Sequence, residues 1–114
     1  MTVTLYGIPN CDTVKQARTW LDARGTAYAF HDYKKLGADQ AKLAAWVECV
    51  GWDKILNRAG TTFRKLPDAD KQDLDAAKAV ALMATNPSCI KRPVVEYPGG
   101  LLVGFKPEAW AAAL

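Results

Sequence analysis

Within its first 32 residues the chain changes hydrophobic period twice, and this constrains the fold more than any single residue does. Residues 2–6 alternate, with Val3 and Leu5 on one face, which is the two-residue period of a strand. Val14, Ala17 and Leu21 then recur at helical spacing, and Gly25 is placed to stop that helix. Residues 27–32 return to a strand pattern with Tyr28 and Phe30 on one face. A strand, a helix and a second strand in this order call for parallel strands with the helix as crossover.

The middle of the chain reads differently. Residues 39–49 predict a helix with Leu43, Trp46, Val47 and Val50 as its apolar stripe and Gly51 as its terminator. Residues 52–66 are irregular, and Gly60-Thr61-Thr62 predicts a turn among them. A further helix is expected over 70–85, with Leu74, Ala77, Ala81 and Ala84 in register, ending before Asn86-Pro87. Two short strand patterns, 94–97 and 101–105, flank Pro98-Gly99-Gly100 and predict a hairpin. Pro107 suits the first position of a terminal helix that carries Trp110 and Leu114. The order βαβ, helical stretch, ββα defines an α/β fold: a thioredoxin-like arrangement with a mixed four-stranded sheet and a helical insertion. At 114 residues one domain is expected, with a core over about 1–35 and 86–114 and an insertion over about 36–85.

Composition narrows the function classes. The longest apolar runs, 79–84 and 109–114, fall far short of the roughly 20 residues a membrane span needs. Met1 is followed by an alternating pattern rather than a charged region and an apolar run, so no secretory leader is expected. Three cysteines without paired spacing favour a reducing cytoplasm over a disulfide framework. A net charge of +3 with no basic arm argues against nucleic acid as a partner. A monomer is expected.

The stretch GIPNCDTVK carries the clearest chemical signal. It delivers Cys11 to the start of the first helix, where unpaired backbone N–H groups and the positive end of the helix dipole favour thiolate over thiol. Asp12 opposes this if its carboxylate faces the sulfur, or else it caps the helix. Two readings stand: an activated nucleophile, or a small side chain packed at a turn. Val14 occupies the position of the second cysteine in a Cys-x-x-Cys pair. Cys11 therefore lacks an adjacent resolving thiol, and an adduct on it falls to an external thiol. Cys49 and Cys89 read as buried structural side chains.

Cations arrive from distant parts of the chain. Lys91-Arg92-Pro93-Val94 sets two of them before a strand, where a thioredoxin-like fold has a cis-proline facing the helix-start cysteine. A trans-proline opening an edge strand is the plainer alternative. Lys106 precedes the last helix, and Asn57-Arg58 and Arg64-Lys65 lie in the irregular stretch. Convergence of several cations is what an anionic adduct needs; taken singly, each reads as a solvated surface charge. His31, the one histidine, reads as structural. No Cys/His cluster with metal spacing, phosphate loop or serine-nucleophile elbow is present.

Five blocks in order, LYGIPNCDTVKQARTWL, FHDYKK, LNRAGTTFRKL, IKRPVVE and VGFKPE, resemble the arsenate reductase (ArsC/Spx/YffB) family, and within it the YffB-like subgroup of small thiol reductases. The resemblance spans nearly the whole chain. It implies a thioredoxin-like core with a helical insertion, Cys11 as the catalytic residue, and glutathione as co-substrate with no tightly bound cofactor or metal. Glutaredoxin is a further reductant in such systems, and the oxidised substrate is arsenate or a mixed disulfide. Of the family's three site arginines, one falls on Arg92 and one on Lys106, a departure in residue type. The third falls near Asn57-Arg58, with Arg58 the choice. Glutathione is expected against Asn10, Arg92 and Pro93. Lysine at 106 keeps the charge but loses the planar fork that grips a tetrahedral oxyanion. Spx-like relatives act on RNA polymerase and commonly carry a Cys-x-x-Cys switch, so a regulatory or protein-binding module is the alternative, with Val14 against it.

Overall fold

Leu5 sits between Phe30 on one side and Val95 on the other, and this row anchors the sheet. The computed structural model describes residues 3–114. In chain order the elements are β1 (Thr4–Gly7), α1 (Asp12–Ala23), β2 (Ala29–Asp32), α2 (Tyr33–Leu36), α3 (Gln40–Val50), α4 (Trp52–Ile55), α5 (Thr61–Arg64), α6 (Asp68–Lys71), α7 (Ala76–Thr85), β3 (Val94–Tyr97), β4 (Gly100–Val103) and α8 (Pro107–Ala113). The chain divides into two compact units, 1–36 with 92–114, and 37–91.

The first unit holds the sheet, ordered β2-β1-β3-β4. β1 and β2 are parallel, while β1–β3 and β3–β4 are antiparallel. This is the mixed four-stranded α/β sheet of a thioredoxin-like fold. Thr2, placed in the first strand by its alternation, lies outside the described residues. On one face Leu5 and Val95 pack with Val14, Ala17 and Leu21 of α1 and Trp110 of α8, all 0–1% exposed. Burial of each large aliphatic side chain here contributes about 1.5–3 kcal/mol. Gly25 takes a φ of 70°, open to glycine, just beyond the end of α1. In the hairpin Tyr97 pairs with Gly100, so the loop is the two residues Pro98-Gly99.

The second unit is helical. Asp39 caps α3 by accepting the Lys42 backbone N–H at 3.1 Å, and Gly51 ends it at a φ of 93°. Leu43, Trp46 and Val47 are buried as the periodicity predicts, and α3 packs on α7. The stretch 52–66 is more regular than its sequence implies: α4 and α5 are single helical turns, with Gly60 immediately before α5. A Leu56–Ile90 bridge and hydrogen bonds from Asn57 N–H to Cys89 O and Lys91 N–H to Ile55 O tie this stretch to the end of the unit.

The helix expected over 70–85 is broken. α6 ends at Lys71, Asp73 adopts a φ of 52°, and α7 begins only at Ala76 behind an Asp75 cap whose carboxylate accepts the Lys78 N–H at 2.8 Å. Its buried residues are Ala79, Leu82 and Met83, so the stripe Ala77, Ala81, Ala84 is not the packed face. Two large apolar side chains outweigh a row of alanines in choosing which face is buried.

Candidate functional site

The site begins where β1 ends. Gly7 is buried against α1, and a Cβ built on it would lie 2.8 Å from Val14 Cγ2. The chain can therefore turn through Ile8-Pro9-Asn10 tightly over the first turn of the helix. Cys11 is the N-cap of α1, with extended backbone (φ −96°, ψ 123°) and no side-chain cap bond. Its carbonyl accepts the Lys15 N–H at 2.9 Å, and its own N–H reaches Ile8 O at 3.4 Å. The half-buried side chain packs against the α1 core. Asp12 is the first residue inside the helix rather than its cap. The side chain is exposed to water.

β3 is antiparallel to β1, so its start lies beside the end of β1 from which Cys11 emerges. There the Arg92–Pro93 peptide bond is cis. Pro93 is buried and Arg92 half-exposed. The Pro93 carbonyl accepts the Gly104 N–H at 2.8 Å, which ties the loop after β4 to the same end of the sheet. Trp110 Nε1 donates to Gly104 O at 3.0 Å and fixes that loop from below. Lys106 follows, exposed, as the N-cap of α8. Its neighbours Phe105 and Pro107 line an open groove with Lys15, Thr19 and Trp20 of α1. Cys11, Arg92, Pro93 and Lys106 thus belong to one compact unit and to adjoining segments of it, and Asn10 stands exposed in the same turn as the cysteine. Arg58 belongs to the helical unit, where its guanidinium lies 5.4 Å from the centre of the Trp52 ring.

The other cysteines differ from each other. Cys89 is buried, as a structural cysteine should be, but Cys49 is exposed near the end of α3. The stripe of α3 runs through Trp46 and Val47, which leaves the neighbouring Glu48 and Cys49 on the outer face. Among the described residues no group of three or more His, Cys, Asp or Glu side chains is arranged to hold a metal ion. No helix among them is long and apolar enough to cross a membrane.

One cluster escapes the sequence reading. On the sheet face opposite Leu5, Tyr6 lies 4.8 Å from the His31 ring and stacks on Tyr33 at 6.2 Å, and its hydroxyl donates to Glu96. Asp32, itself buried, accepts the Lys34 N–H at 2.9 Å and turns the end of β2 into α2, which carries Tyr33 inward. Burial pushes the Tyr33 hydroxyl far above the ordinary tyrosine range; Tyr6 and Glu96 push the same way, and the charge of Arg92 pulls it back. Alternation and register give only His31, the position opposite Tyr6 on β2; Glu96 faces Thr4 and Tyr33 opens α2, so neither is found that way.

The site is thus a thioredoxin-like sheet with a single cysteine at the start of its first helix and an Arg–cis-Pro step at the adjoining end of β3. Residues 6–113 match the ArsC family, and the chain belongs to it. A YffB protein (PA3664) of known structure is 61% identical, with a TM-score of 0.97 over 99% of both chains. An uncharacterised protein of Haemophilus influenzae is 40% identical over 97% of each chain. The global transcriptional regulator Spx of Streptococcus mutans is 28% identical over 98% of this chain and 82% of its own.

Proposed function

We propose that the protein is a glutathione-dependent thiol reductase of arsenate-reductase type with one nucleophilic cysteine. The observation that carries this reading is Cys11 at the N-cap of a twelve-residue helix, with no side-chain cap bond, in the unit that also holds Arg92 and Lys106. Arg92 and Lys106 stabilise an anionic adduct or a glutathione carboxylate. Asn10, Arg92 and Pro93 hold the tripeptide.

With a mixed glutathione disulfide as substrate, the Cys11 thiolate attacks the glutathione sulfur. The disulfide breaks, the other half leaves as thiolate, and Cys11 becomes glutathionylated. A second glutathione gives its proton to the departing thiolate and attacks the glutathione sulfur of that adduct. Oxidised glutathione forms and the Cys11 thiolate is regenerated. The sum is a thiol–disulfide exchange: one mixed disulfide and one glutathione give the free thiol and oxidised glutathione. Val14 stands where a resolving cysteine would be, so the external thiol is required. Glutaredoxin is an alternative source of that thiol.

The test is glutathione-coupled turnover of mixed glutathione disulfides and of arsenate, with Cys11→Ser beside the wild type. Turnover that disappears in Cys11→Ser is expected; none by the wild type on either substrate sinks the reading. The similarity to Spx favours one second reading, a regulatory protein-binding module. Under it, a protein partner co-purifies and its binding survives Cys11→Ser.

A further inference from the structure

Tyr33 is 3% exposed, and its hydroxyl is the buried side-chain polar atom without a hydrogen-bond partner among the described residues. Buried hydroxyls are normally satisfied, so one that is not asks for an explanation. Its position supplies one. Gly7 of β1 pairs with Asp32 of β2, and Tyr33 is the next residue, the first of α2. On the other side of β1, Tyr6 pairs with Val94, the first residue of β3, and Arg92 lies two residues before it. Tyr33 and Arg92 thus lie on either side of the same end of β1, the end from which the chain turns to Cys11. The charge of Arg92 is felt at the Tyr33 hydroxyl.

A guanidinium carries five N–H donors, and a bidentate anion takes two of them. Arg92 keeps part of its surface exposed. An anion settling on Arg92 covers part of that surface, and the donors facing inward then need a protein acceptor. We propose that Tyr33 is a positioning residue for Arg92: with an anion bound, the Tyr33 hydroxyl oxygen accepts an N–H of the guanidinium and holds its fork toward the turn that carries Cys11. This rests on the reading of Arg92 as an anion-binding residue of the reductase site.

The test is a double-mutant cycle of Tyr33→Phe and Arg92→Lys, with binding of glutathione and of inorganic sulfate measured by calorimetry and the melting temperature of each protein recorded. Phenylalanine keeps the ring against Tyr6 and His31 and removes only the hydroxyl. Because that hydroxyl is unpartnered in the free protein, Tyr33→Phe should melt at or above the wild-type temperature near neutral pH. Its affinity for each anion should fall by about 10-fold, the size of one hydrogen bond to a charged group. In the Arg92→Lys background the same change should have little further effect. Unchanged affinity in Tyr33→Phe overturns the proposal, as does an equal loss in the Arg92→Lys background. So does a lowered melting temperature, which would mean that the hydroxyl is already paired. Coupling seen with sulfate while glutathione does not bind the wild type removes the reductase reading and leaves the Tyr33–Arg92 pairing supported. Failure of both anions to bind the wild type removes both.

Discussion

Val14 fills the space above Gly7: a Cβ at Gly7 would come within 2.8 Å of Val14 Cγ2 and 3.4 Å of Cγ1. Val14 is fully buried, and its branched side chain has little room to turn away. The residue that replaces a second cysteine is therefore a packing partner of the turn that delivers the first. Gly7→Ala should destabilise the fold by about 1–3 kcal/mol through overpacking. Denaturant unfolding measures it. Gly7→Ala combined with Val14→Ala should lose less stability than the two single changes added together, because each change makes room for the other.

The break before α7 gives a second expectation. Asp75 accepts the Lys78 N–H at 2.8 Å and satisfies one of the donors left open at the helix start. Asp75→Ala should cost about 1 kcal/mol, while Asp75→Asn should retain most of the cap. Thermal unfolding of the three proteins distinguishes capping from a general effect of charge.

These two places also mark how far the sequence could be read. The βαβ start, the hairpin and the terminal helix were legible because Leu5, Val14, Ala17, Leu21 and Trp110 carry a clean period into one buried cluster. The 70–85 helix was misread because its alanines keep helical spacing on the exposed side, while Asp75 and the positive φ of Asp73 set the real boundary. Cys11 and the Arg92–Pro93 step were legible as local motifs. Tyr33 was not, because its relation to Arg92 depends on the register of three strands, which no local pattern encodes.

Tyr33 also sets a pH dependence. Its hydroxyl ionises in the folded protein far above the ordinary value of about 10, chiefly because burial penalises the phenolate. A raised folded-state pKa means that above pH 10 the unfolded chain has lost this proton and the folded chain has kept it. Stability is unaffected below that point and falls above it, by about 1.4 kcal/mol per pH unit from this one group. Unfolding free energies of wild type and Tyr33→Phe across pH 8 to 11 should run parallel at the lower end. They should diverge above pH 10, with the variant falling less steeply. Parallel curves throughout would mean that the hydroxyl is hydrated in the native state.

Under the proposed reductase reading, Lys106 bears on which anions the site takes. It stands exposed at the N-cap of α8, in the loop held by Pro93 O to Gly104 N–H and by Trp110 Nε1 to Gly104 O. The loop is fixed at two points before the side chain leaves it, so a longer or differently shaped cation starts from the same place. Lysine offers a point charge there, whereas arginine offers two parallel donors that match two oxygens of a tetrahedral anion. Lys106→Arg should therefore strengthen binding of arsenate or sulfate by up to about 10-fold, the equivalent of one added charge-assisted hydrogen bond. A ligand held only by one carboxylate has less to gain, and its affinity should move by about 2-fold or less, since net charge at the position is unchanged. Calorimetric titration of both proteins with sulfate and with glutathione measures the ratio. A gain for sulfate alone makes residue 106 a determinant of anion shape. Equal affinities for both ligands in both proteins would place Lys106 outside the anion site, leaving Arg92 as the cation of the sheet unit that serves it.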